Sequence, residues 1–131
     1  MLGIDRAAAE ASAAEIFEGE GVKVAFIRAS QVYEKTTTYF AAGPGTPASA
    51  LPRNRTLQVV RDARADSYLV VAYMHLGLEE LTCPGNEAIV SARDLETAGA
   101  DVVLGEHDSA SSCAGCVGDA YVPFGLGNLV Y

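Results

Sequence analysis

The stretch Tyr68-Leu-Val-Val-Ala-Tyr-Met74 constrains this chain more than any other. It is continuously apolar and too short for a helix that must bury itself on all sides. That is the mark of a strand covered on both faces, as in α/β proteins. The next elements fit the same plan. From Pro84 to Ala98 the residues Ala88, Ala92, Leu95 and Ala98 fall on one helical stripe, with Arg93, Asp94 and Glu96 outside it, and Gly99 stops the helix. Val102-Val-Leu104 is the next strand. A strand–helix–strand unit makes its two strands parallel. Only two histidines occur in the chain, His75 and His107, and each sits just past the end of one of these strands. Both are therefore expected at the carboxyl edge of one sheet, where open α/β sheets place their ligands.

The remaining elements are read from the same signals. Ala7 to Phe17 is alanine-rich with interspersed glutamates and predicts a helix stopped by Gly19 and Gly21. Val22 to Ile27 predicts a strand. Ser30 to Pro52, with the threonine run Thr36-Thr37-Thr38 and the Gly43-Pro44-Gly45 turn, predicts a long loop. Asn54 is placed as the cap of a helix running to about Ala63. Glu106 to Asp119 reads as a small-residue loop, and Tyr121–Phe124 and Leu129–Tyr131 as extended segments.

At 131 residues the chain is about one domain in length, and 50% hydrophobic with 20% charged residues suits a soluble globular protein. No apolar run approaches the roughly 20 residues of a membrane helix. Met1-Leu-Gly-Ile-Asp-Arg6 lacks the features of a signal peptide. The formal net charge of −8 argues against nucleic acid as a partner, since duplex binders carry a basic face. An anionic ligand would need a local cation to offset that charge.

Four stretches, in order, are Gly21-Val-Lys-Val-Ala-Phe-Ile27, His75-Leu-Gly-Leu-Glu79, Ala98-Gly-Ala-Asp-Val-Val-Leu-Gly-Glu-His107 and Gly125-Leu-Gly-Asn-Leu-Val130. This order resembles the C-terminal half of a CapA-type domain, the capsule and poly-γ-glutamate synthesis family related to calcineurin-like metallophosphoesterases. The family counterparts are an extended segment after an alanine-containing helix, a His-Trp-Gly-x-Glu motif, a Gly-Ala-Asp-…-Gly-x-His-Pro-His motif and a terminal Ser-Leu-Gly-Asn-Phe motif. The departures are Leu76 for tryptophan, Asp108 for proline and Ser109 for the second histidine of the His-x-His pair. The upstream half of the family domain, with its Asp-containing and Asn-His motifs, has no counterpart here.

The resemblance implies an α/β fold, a partial metallophosphoesterase-like αββα sandwich in which residues 1–131 form one incomplete domain. It implies a capsule or poly-γ-glutamate biosynthesis role and metallophosphatase-like chemistry on an anionic polymer or a phosphate-like small substrate. It also implies cell-envelope association. His75 and His107 would serve one metal (manganese, iron or zinc) of a two-metal centre, and position 109 would serve the other. With Glu79 they are the candidate catalytic residues, and Asn128 and Asp108 would stand beside the site. Ser109 is a poor ligand, and the nearby carboxylates Asp108 and Glu106 do not occupy the motif position. Two histidines fall short of the about four to six ligands of a catalytic centre, so the site is expected to be weakened and the chain alone inactive.

Each candidate has a plainer reading. A strand-end histidine often bonds only backbone, Glu79 beside Glu80 suits a solvated loop, and Asn128 after Gly127 suits a turn. Two alternatives arise from this. One is a catalytically silent binding or remnant domain. The other is a zinc-stabilised module on Cys113-Ala-Gly-Cys116, whose spacing lets two thiolates reach one zinc, with Cys83 unplaced. An odd cysteine count leaves a full disulfide framework unsupported.

Overall fold

The computed structural model describes residues 13–30, 53–67, 69–75, 83–106 and 112–127. The described elements are β1 (Glu15–Gly19), β2 (Val22–Ser30), α1 (Arg53–Asp66), β3 (Leu69–His75), α2 (Asn86–Ala98), β4 (Val102–Glu106), β5 (Ala114–Val117) and β6 (Ala120–Pro123). The strands form one six-stranded sheet in the order β1-β2-β3-β4-β6-β5. The centre, β2-β3-β4, is parallel, with Ala25 opposite Val70 and Ala72 opposite Val103. The two edge pairs, β1–β2 and β5–β6, are antiparallel.

The strand–helix–strand reading holds. Right-handed crossovers that step along a sheet in one direction put their helices on one side. Among the described residues, α1 and α2 share a core with the same strand faces: Ala25 and Ile27 of β2, Val70, Ala72 and Met74 of β3, Val103 of β4, and Ala120 and Val122 of β6. Against these pack Val60 and Ala63 of α1 and the predicted stripe Ala88, Ala92, Leu95 and Ala98 of α2. Gly99 caps α2 with a left-handed backbone, as expected. Arg53 pairs with Asp94 and ties the two helices together. The first helix begins one residue before Asn54, whose side chain accepts the amide of Arg55 at 2.9 Å.

Two expectations are corrected. Glu15 to Phe17 are not helical but lie in β1, which turns into β2 through Glu20 and Gly21, both with positive φ (51° and 80°). A two-residue turn of that type matches the twist of paired strands. Pairing with β2, including an edge-to-face contact of Phe17 on Phe26 with centroids 5.6 Å apart, outweighs the helical propensity of the preceding alanines. The expected loop Glu106–Asp119 contains β5, which returns through Gly118 and Asp119 to pair with β6. Small residues carry little strand signal of their own, and this hairpin is fixed by its neighbours. Tyr121 N–H bonds the Asp101 carbonyl at 3.0 Å, and Asp119 N–H bonds Glu96 Oε1 at 3.4 Å. The expectations for the loop 31–52, for Leu129–Tyr131 and for residues 7–12 of the helix expected over Ala7–Phe17 lie outside the described residues.

Candidate functional site at the carboxyl edge

The register of the parallel centre decides which side chains meet at its edge. His75 is the last residue of β3, and its Cα partner in β4 is Glu106. Neighbouring residues in register present side chains to the same face, so an imidazole and a carboxylate are set side by side. Nδ1 of His75 lies 3.7 Å from Oε2 of Glu106. That oxygen is buried and has no hydrogen-bond partner. Two residues earlier on the same face, Tyr73 hydrogen-bonds the Glu106 carboxylate. Burial first, then this hydrogen bond and the carboxylate's charge, push the Tyr73 hydroxyl up to about 12, against the opposing pull of Arg28. Arg28 is the Cα partner of Tyr73 in β2, and its guanidinium sits 5.6 Å from the ring centroid. Arg28, Tyr73, Glu106 and His75 thus form a polar line across three strands on the face opposite the helices.

The sequence singles out His75 but not this line. In the sequence Glu106 stands only as a replacement ligand, and Tyr73 only as a strand residue. The available signal is the two-residue spacing of Tyr73 and His75, which puts both on one strand face. A further residue that the sequence does not single out is Asp101, in the Gly-Ala-Asp stretch. Its Oδ2 accepts the amide of Val70 at 2.8 Å and Arg64 Nη1 at 2.7 Å. It thereby joins α1, β3 and the entry to β4, and its role is to hold the parallel pair in place.

His107 is next to Glu106 in the chain, but His107, Asp108, Glu79 and Asn128 all lie outside the described residues. Among the described residues, no three histidine, cysteine or carboxylate side chains stand close enough to hold a metal ion. An imidazole and a carboxylate with an orphaned buried oxygen are the donor types that first-row ions prefer. As a pair they begin a centre without closing one.

The cysteine pair is not brought together. The β5–β6 ladder continues past Ala114, with Phe124 N–H bonding the Cys113 carbonyl at 3.1 Å and Ser112 N–H bonding the Gly125 carbonyl at 3.1 Å. Three steps along an extended strand separate Cys113 from Cys116 by roughly 10 Å and turn them to opposite faces. One tetrahedral zinc, or one disulfide, would need the backbone to bend back. Cys83, Cys113 and Cys116 are exposed free thiols.

A mixed α/β sheet with two helices on one face and a polar line at its carboxyl edge is the class of protein seen here. A solved structure shares the fold. The sulfate thiohydrolase SoxB of T. thermophilus, solved in complex with glycerol, superposes with a TM-score of 0.57. The two are 22% identical, and the match covers 88% of this chain and 20% of that one, so this chain spans about a fifth of the length of the solved protein it matches. No curated protein matches the chain. The family model described as bacterial capsule synthesis protein PGA_cap matches residues 1–131, and the chain belongs to that family, the CapA-type capsule proteins.

Proposed function

We propose that this chain is the C-terminal half of a capsule-synthesis domain of metallophosphoesterase descent, with a weakened metal site. Its role is in the synthesis or export of an anionic capsule polymer such as poly-γ-glutamate, in association with the cell envelope. Its ancestral chemistry is the metal-assisted handling of a phosphate-like oxyanion. In this reading His75 and His107 would hold one divalent ion, Glu79 would face the substrate, and Asn128 and Asp108 would stand beside the centre. A bound ion would supply Lewis-acid stabilisation of the oxyanion. The chain's own part is to fix His75 at the end of β3 and to keep the Glu106 carboxylate against it.

The observation that carries the reading is the His75–Glu106 register pair at the carboxyl edge of a parallel sheet, a place where α/β folds put their ligands. The incomplete-domain part is supported by the face that bears this pair. Phe26, Leu104 and Tyr73 are only partly buried there and Phe17 and Tyr121 are about half exposed, which suits a sheet made to receive a second layer.

Metal analysis and phosphodiester hydrolysis test it. The purified chain, supplied with manganese, is expected to retain less than a two-metal complement and to leave bis-p-nitrophenyl phosphate uncleaved. Full loading with two ions and turnover that His75→Ala abolishes would overturn the weakened-site reading. Binding of poly-γ-glutamate without any metal would identify the silent binding domain instead.

A further inference from the structure

We propose that Glu106 is the positioning residue for His75: its carboxylate accepts the Nδ1 proton of the neutral imidazole, so the ring's lone pair resides on Nε2. Three observations carry this. First, the two residues are Cα partners on adjacent parallel strands, so the backbone and not a flexible loop holds them together. Second, Oε2 of Glu106 is buried without a hydrogen bond, and His75 Nδ1 stands 3.7 Å away. A buried acceptor left unpaired is costly, and a carboxylate gains more from a donor than a neutral group does. The gap is just beyond hydrogen-bond length. Third, the carboxylate also engages the hydroxyl of Tyr73, whose ring lies under Arg28. A histidine whose Nδ1 proton is taken by a carboxylate is oriented and made more basic at Nε2, as in carboxylate–histidine pairs behind metal ions.

The functional meaning of this tautomer rests on His75 being a site residue, but the tautomer itself is measurable with no metal present. The test is a long-range ¹H–¹⁵N spectrum of histidine-labelled chain carrying His107→Ala, recorded where the spectrum no longer changes with rising pH. His75 is expected mainly as the Nδ1–H form. Glu106→Ala should shift the tautomer ratio toward Nε2–H by about tenfold, the ratio that corresponds to one charge-assisted hydrogen bond. Glu106→Gln keeps the shape and should move the ratio the same way by less, which preserves the test if the alanine variant does not fold. A mainly Nε2–H ring in the parent chain would overturn the proposal. So would a ratio that neither variant moves, even if both lose stability.

Discussion

The two faces of the central strands are built from the same backbone and differ in almost everything else. On the helix side, Ala25, Ile27, Val70, Ala72, Met74, Val103 and Val122 are at most 1% exposed. On the other side, one residue along each strand, stand Phe26, Arg28, Tyr73, His75, Leu104 and Glu106, most of them partly open. The first face is uniform, apolar and closed by α1 and α2. The second mixes aromatic and aliphatic residues with a line of charge that ends at the carboxyl edge. A continuous apolar strand such as β3 is therefore no proof that both sides are equally buried. The helix face carries most of the apolar burial among the described residues, and the opposite face carries the polar line from Arg28 to His75.

Leu95 and Leu104 make the sharpest test of that division, because the same substitution can be made on each side. Leu95 of α2 is 2% exposed in the helix-side core, and Leu104 of β4 is partly exposed on the other face. Leu95→Ala should cost about 2–5 kcal/mol, from lost burial plus the cavity left behind. Leu104→Ala should cost about 1 kcal/mol, since part of its surface is already in water. Urea denaturation of both variants measures the difference. Equal losses would mean that the second face is closed as firmly as the first.

Gly105 sharpens the comparison within one strand. It alternates with Leu104 and Glu106 and so points to the helix side, where a Cβ would sit 2.2 Å from the carbonyl oxygen of Phe124. That neighbour is backbone and cannot swing aside. Gly105→Ala should cost about 3 kcal/mol through forced separation of β4 from the Phe124 segment. Gly115→Ala in β5 has open space around it, and its stability should stay within about 0.5 kcal/mol of the parent in the same denaturation experiment. A mild Gly105 variant would show that the Phe124 segment yields easily.

The parts of the fold legible in the sequence are those whose signals are local. The apolar run of β3, the stripe of α2 and the stop at Gly99 each announce themselves within a few residues, and together they set the parallel centre. The antiparallel edges are not legible. β1 sits next to an alanine-rich stretch with helical propensity, and β5 is Ala-Gly-Cys-Val, so both owe their form to partners elsewhere in the sheet. The site divides in the same way. His75 stands out because the strand ends there. Its pairing with Glu106 depends on the register between β3 and β4, and a one-residue slip would send the carboxylate to the other face. For the cysteines, the spacing is plain in the sequence and the conformation is not. Cys-x2-Cys chelates one ion in a turn, whereas here it lies along a strand.

An effect smaller than those at Leu95 and Gly105 is electrostatic and belongs to the polar face. Tyr73 has its hydroxyl raised from 10.0 to about 12 by burial and by Glu106. The folded chain therefore holds this proton more tightly than the unfolded chain does. The stabilisation is fully present below pH 10, and it is lost as pH rises from about 10 to about 12, where the unfolded state has released the proton and the folded state has not. The full shift would correspond to about 2.7 kcal/mol. Screening by water at this partly exposed ring reduces the expectation to about 1 kcal/mol. Tyr73→Phe removes the titrating group, so the parent should lose about that much more stability than the variant across this window, whatever the other tyrosines and lysines do in both. Urea midpoints at pH 9, 10, 11 and 12 measure the difference. Parallel curves would mean that the Tyr73 hydroxyl does not face a carboxylate, and the line from Arg28 to His75 would then be broken at its centre.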